Sequence, residues 1–149
     1  MQYRSEWPCL IITPSTARFH WAAEFKKWIE SSVLDASEVA VVTSGAWRWE
    51  KDEPRVVIIS YNLVTPMKDH LDAVGFEVVV ADECHYLKNP GARRTKAILP
   101  MLQKARRAVL LSGTPALSRP GELFSQLNAL DPRAWPEYSA VGGARSKNA

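Results

Sequence analysis

The chain has 149 residues, enough for one domain with a substantial core, and it is 46% hydrophobic and 23% charged with a net charge of +3, an ordinary globular profile. No apolar run approaches the roughly 20 residues of a membrane span, and the first residues, Met-Gln-Tyr-Arg-Ser-Glu-Trp-Pro, lack the apolar core of a signal peptide, so no membrane role is expected. The two cysteines, Cys9 and Cys84, suit neither a disulfide framework nor a zinc site, which points to a reducing compartment.

The first predicted strand is Cys9–Thr13, and Thr13-Pro14-Ser15-Thr16 leads from it into a helix over Ala17–Ser31. Phe19, Ala22, Ala23, Phe25, Lys26 and Ile29 fall at helical spacing there, with Trp21 and Trp28 flanking the apolar face. Ser15 or Thr16 can cap this helix, and its free N–H groups and dipole favour a phosphate, although such a residue is most often a cap and no more. Val39–Thr43 and Val56–Ser60 are the next strands, the latter closing in Ser60-Tyr61-Asn62, and Leu63–Val74 is a shorter helix candidate. Val78–Ala81 is the β-branched run expected of a strand buried on both faces of a parallel sheet. Arg93–Lys104 is predicted helical and Ala108–Ser112 extended, and a last helix over Pro120–Leu130 opens with proline at a favoured first-turn position. Strands alternating with helices predict an α/β fold, a parallel sheet flanked by helices. Residues 139–149 are rich in Gly, Ala and Ser and are expected to form a flexible tail, leaving 1–138 as the folded unit.

The most informative stretch is Val78 to His85, an apolar strand that ends in adjacent carboxylates, Asp82 and Glu83. Ligands of open α/β sheets bind beyond the carboxyl ends of the strands, where one carboxylate can hold a hard cation and the other can face a water. A match to Asp, Glu and His at these fixed places arises by chance in about one chain of this length in a hundred. Tyr86-Leu87-Lys88-Asn89-Pro90-Gly91 follows as a turn, with Lys88 placed for a phosphate near the carboxylates. Leu110-Leu111-Ser112-Gly113-Thr114-Pro115 ends the next strand with two hydroxyls that can bridge to carboxylates of a neighbouring strand end. Charge is uneven: eight basic and no acidic residues lie between Cys84 and Gly121, while the rest of the chain carries eleven basic against sixteen acidic. Such a segment suits a polyanion, and a solvated helix face is the competing explanation. A serine-hydrolase elbow is absent, Cys84 and His85 are too close in sequence to suit a nucleophile–base pair, and the three histidines lack metal-site spacing.

Taken together, these segments resemble the Swi/Snf-type DNA translocases of helicase superfamily two. Pro8 to Ser15 with Trp21 and Glu24 resembles their motif Ia, Val57 to Leu63 the Ib region, Asp82 to Asn89 motif II (the Asp-Glu-x-His form of a Walker B element), and Leu111 to Pro120 motif III. This last run, with Glu122-Leu123-Phe124 following, is most similar to the annealing-helicase, HARP-like branch. The resemblance covers roughly Trp7 to Tyr138 and implies a RecA-like first lobe driven by ATP and Mg²⁺. It implies that Asp82 holds Mg²⁺ on the ATP phosphates, that Glu83 orients the attacking water, and that His85, Ser112 and Thr114 couple the nucleotide to DNA contact. Thr13, Pro14, Ser15, Ser60, Tyr61, Lys88 and Asn89 would lie on the DNA side, contacting backbone without reading sequence.

None of the seven glycines is followed by lysine, so the Gly-rich phosphate loop that such enzymes carry upstream of motif Ia is not found, and neither is a second RecA-like lobe. The sheet is therefore expected to be incomplete at its P-loop strand and helix, and the chain to be an internal piece of the first lobe, through truncation or a partial gene model. By itself it is expected to be inactive. A non-catalytic DNA- or protein-binding module is the alternative reading, and a piece that does not fold stably is a third. Localisation is expected to be nuclear in a eukaryote, and cytoplasmic or nucleoid in a bacterium or virus.

Overall fold

The computed structural model describes residues 6–49, 54–114 and 120–137. The end of the motif III run, 115–119, and the expected tail, 139–149, lie outside them. Five strands, β1 (Cys9–Thr13), β2 (Val39–Val41), β3 (Val56–Ser60), β4 (Val78–Asp82) and β5 (Arg107–Leu111), form one parallel sheet in the order β2-β3-β1-β4-β5. Cys9 pairs in register with Val56 on one side and Val78 on the other, so β1 lies at the centre. All five residues of β1 and of β3 are buried, as continuous apolar runs in a parallel sheet require.

The two faces are covered differently. Leu10, Ile12, Val57, Ile59, Val79 and Ala81 face the larger core, closed by α2 (Tyr61–Val64), α3 (Lys68–Val74), α4 (Arg93–Lys104) and α5 (Phe124–Leu130). Cys9, Ile11, Val56 and Ile58 face a smaller one, under α1 (Arg18–Trp28). Only one face of β4 is sealed: Val79 and Ala81 are fully buried while Val78 and Val80 are half-buried, which corrects the expectation of burial on both faces. On β5 beside them, Val109 and Leu111 are 40% and 39% exposed, because α1 does not extend over that edge.

Three helix expectations change. The packing face of α1 is Trp21, Ala22, Phe25 and Ile29, while Phe19 and Trp28 point outward, 61% and 72% exposed. Neither Ser15 nor Thr16 caps it; the cap position is Ala17 and receives no side-chain bond. The single helix expected over Leu63–Val74 is two, because Pro66 has no N–H to continue the ladder, and the second ends on Gly75 in the left-handed conformation, φ 68°. No helix among the described residues is long and apolar enough to cross a membrane.

Both cysteines are buried and free, and burial pushes the Cys9 thiol up to about 12 and raises that of Cys84 as well. The thiolate is the reactive form, and at about pH 8 a group titrating near 12 holds on the order of one thiolate in 10⁴. Ellman titration of the native chain is expected to detect neither thiol within minutes and both in denaturant. Rapid native reaction of Cys9 would contradict its place on β1.

Candidate functional site

The connection from β1 runs through α1 on one face of the sheet, and that from β4 runs through α4 on the other. Diverging connections open a crevice at the carboxyl ends of two neighbouring strands, the place where α/β sheets bind ligands. Thr13 ends β1 and Asp82 ends β4, so both stand at that crevice.

Asp82 is held from three directions. The Thr13 hydroxyl donates to Asp82 Oδ2 at 2.8 Å, and the Trp21 indole N–H donates to the same oxygen at 2.9 Å. The Tyr61 hydroxyl, from the start of α2, donates to the Asp82 backbone carbonyl at 2.7 Å. Among the described residues, Oδ1 accepts no hydrogen bond. Burial, with the nearby Cys84 and carboxylate charges adding to it, raises the Tyr61 phenol far above its ordinary range, so it stays a neutral donor.

Glu83 follows in the left-handed region, φ 52° and ψ 50°, the only non-glycine residue with positive φ among those described. Such a backbone is uncommon for glutamate and turns its side chain, 43% exposed, out of the strand line toward solvent. His85 Nδ1 lies 3.1 Å from Glu83 Oε2 and 3.3 Å from Ser112 Oγ, so the histidine bridges the end of β4 and the residue after β5. Ser112 Oγ also accepts from the Thr114 backbone N–H at 3.2 Å. Tyr86 stacks on Tyr61 with ring centres 4.9 Å apart and planes at 10°, and Arg94 lies over its ring at 5.6 Å. Cys84 is buried, its Sγ 3.3 Å from Gln126 Oε1.

The structure thus brings together Asp82, Glu83, His85, Ser112 and Thr13. It places the other residues singled out in the sequence as follows. Thr13, Ser60 and Tyr61, expected on a DNA-facing surface, are buried; Thr13 and Tyr61 spend their hydroxyls on Asp82. Ser112 reaches His85 rather than a carboxylate, and the hydroxyl that does reach Asp82 is that of Thr13. Ser15, Asn89 and Thr114 are exposed, Pro14 is half-buried, and Asn89 Oδ1 accepts from the Gly91 N–H at 2.9 Å. Lys88, 42% exposed, stands 3.8 Å from Glu122.

The basic segment does not form one face. Arg107 opens β5, at the opposite end of the sheet from Asp82, and its guanidinium reaches both carboxylate oxygens of Glu6, with Arg106 Nε 3.3 Å from the same carboxylate. The Arg107 hydrogen bond holds Glu6 below the usual carboxylate range despite burial, with the two guanidinium charges adding to it. These two arginines fasten Glu6 to the start of β5 and are remote from the crevice.

Among the described residues no three His, Cys, Asp or Glu side chains gather as a closed metal site. The donor set still fits Mg²⁺, which commonly takes one or two carboxylates and completes its shell with phosphate oxygens and water. Asp82 Oδ1 is a carboxylate oxygen there with no donor among the described residues. A groove of about 650 Å³ beneath α1, lined by Ala22, Phe25, Ile29, Leu34 and Val39 among others, shares no residue with this site.

The SNF2-related domain family model matches residues 1–141. The mouse protein named DNA annealing helicase and endonuclease ZRANB3 is 44% identical over 144 residues, an overlap of 92% of this chain and 13% of that protein. The Xenopus laevis SWI/SNF-related matrix-associated actin-dependent regulator of chromatin subfamily A-like protein 1 is 41% identical over 140 residues, 94% of this chain and 14% of that protein. The chain therefore spans about one-seventh or less of the length of these relatives. The solved Sulfolobus solfataricus SWI2/SNF2 ATPase core in complex with dsDNA superposes with a TM-score of 0.75 at 22% identity, over 94% of this chain and 28% of that one, so the sheet is of the RecA-like kind. On the family match and these relatives, the chain belongs to the SNF2-related domain family.

Proposed function

We propose that the chain serves as part of the first ATPase lobe of a DNA translocase of the annealing-helicase kind, coupling ATP hydrolysis to the rewinding or remodelling of duplex DNA. The observation that carries this reading is the clamped Asp82 at the crevice, with one carboxylate oxygen left over and Glu83 turned outward beside it. Asp82 would hold Mg²⁺, which when bound offsets charge on the phosphates of ATP. Glu83 would orient the attacking water, with its carboxylate steadied by His85. The His85–Ser112 contact links this strand end to the next, a route by which the nucleotide state reaches the neighbouring loop. The relatives' names, an annealing helicase and a chromatin regulator, support DNA as the partner and the nucleus as the site of action in a eukaryotic host.

Nucleotide hydrolysis by the full-length protein, stimulated by duplex DNA and lost in Asp82→Asn, tests the reading directly. A full-length protein that hydrolyses no nucleotide with or without DNA would end it.

DNA contact by this lobe is proposed at Ser15, Lys88 and Asn89, since Thr13, Ser60 and Tyr61 are buried and the Thr13 and Tyr61 hydroxyls are engaged with Asp82. Binding by the chain is expected to be weak, indifferent to sequence and steeply salt-sensitive, each neutralised phosphate adding about 0.9 to the slope of log affinity against log salt. Lys88→Ala is expected to reduce that slope by about one on every duplex, while Arg106→Ala, whose partner is Glu6, leaves it unchanged. Titrations of two unrelated duplexes at several salt concentrations check this. A sequence preference would count against it.

A further inference from the structure

We propose that Trp21 is a positioning residue for Asp82: its indole N–H, with the Thr13 hydroxyl, fixes one carboxylate oxygen so that the other is aimed at a divalent cation. This rests on the reading of Asp82 as the cation ligand.

The two donors come from different elements, the end of β1 and the first turn of α1, yet converge on Oδ2 at 2.8 and 2.9 Å. An Asp carboxyl torsion is broad and roughly two-fold, so an unrestrained side chain would present either oxygen in many orientations. Two donors at fixed points remove that freedom and leave Oδ1 as the oxygen with no donor among the described residues. Mg²⁺ demands near-ideal octahedral geometry, so a ligand set before the ion arrives matters more for it than for a larger cation. Bonds to an ionised carboxylate are also stronger than those between neutral groups.

A purely packing role for Trp21 is separable from this one. The ring packs at the sheet and lies 6.2 Å from Phe25, a contact that phenylalanine at position 21 would largely keep while losing the N–H. Trp28 serves as the internal control: it sits on the same helix, is 72% exposed, and donates to Glu24.

The test is Mn²⁺ binding to the full-length protein in the presence of ADP, followed by electron paramagnetic resonance, beside the Mg²⁺ dependence of hydrolysis. Outer partners of metal ligands typically contribute about 10- to 100-fold in affinity. Trp21→Phe is expected to weaken Mn²⁺ about 10-fold and to raise the Mg²⁺ needed for half-maximal rate by a similar factor. The rate at saturating Mg²⁺ should change little, and Trp28→Phe should change neither measurement. Thr13→Val is expected to act in the same direction and keeps the test open if Trp21→Phe fails to fold. If Asp82→Asn weakens Mn²⁺ but both donor variants bind it like the parent, the positioning role falls and the cation reading stands. If Asp82→Asn itself leaves Mn²⁺ affinity unchanged, both fall.

Discussion

Glu83→Gln in the full-length protein is expected to lower the rate of ATP hydrolysis by about 10³-fold while leaving ATP affinity nearly intact. The amide keeps the size of the side chain and its capacity to accept from His85, so the left-handed turn at position 83 should survive. What disappears is the negative charge proposed to orient the attacking water. Asp82→Asn should behave differently, since it removes the charge on the proposed cation ligand and so weakens Mg-dependent nucleotide binding as well as turnover. Single-turnover hydrolysis, with nucleotide affinity measured separately, distinguishes the two. Parental turnover in both variants would remove the two carboxylates from the chemistry altogether.

The largest expected effect on folding is at Ile12. It is fully buried on the central strand, between Ile59 of β3 and Ala81 of β4, one residue before the Thr13 hydroxyl that bonds Asp82. Ile12→Ala should cost about 2–5 kcal/mol, toward the upper part of that range because neighbours held in sheet register cannot collapse into the space. Trp28→Ala, on the exposed side of α1, should change stability by less than about 0.5 kcal/mol despite removing a far larger side chain. Urea unfolding followed by circular dichroism, with matching slopes for the variants, gives both numbers. Similar losses at the two positions would mean that α1 packs through the other side.

Much of the fold was legible because the strands are short uninterrupted runs of β-branched and aliphatic residues. Cys9–Thr13 and Val56–Ser60 lie where those runs lie, and the helix over Arg93–Lys104 has the predicted bounds. The adjacent carboxylates were legible for the same reason: an apolar strand that stops at Asp82 and Glu83 has to place them at its carboxyl end. The bond from Trp21 to Asp82 was not, since it joins residues 61 apart and periodicity reports only which side of a helix is apolar. That side was itself misjudged, with Phe19 turned outward and Trp21 inward. The basic segment misled for a related reason. Net charge along a sequence carries no direction, and β5 takes Arg107 to the far end of the sheet, where Glu6 meets it. Thr13 and Tyr61 read as strand-end residues free to meet a partner, whereas burial turns their hydroxyls inward onto Asp82.

The backbone at Glu83 sets the demands of folding against those of chemistry. A left-handed residue is easiest for glycine and tolerable for asparagine, and for other L-residues costs roughly 1–2 kcal/mol. A sequence optimised for thermal resistance alone would therefore place Gly or Asn at position 83, and the Tyr61 hydroxyl bond to the preceding carbonyl would help hold the turn in either case. Glutamate there is a trade-off in which the folded state gives up part of its margin to present a carboxylate outside the strand. Screens for more heat-resistant versions of this fold would on that account tend to select the substitutions that remove the carboxylate.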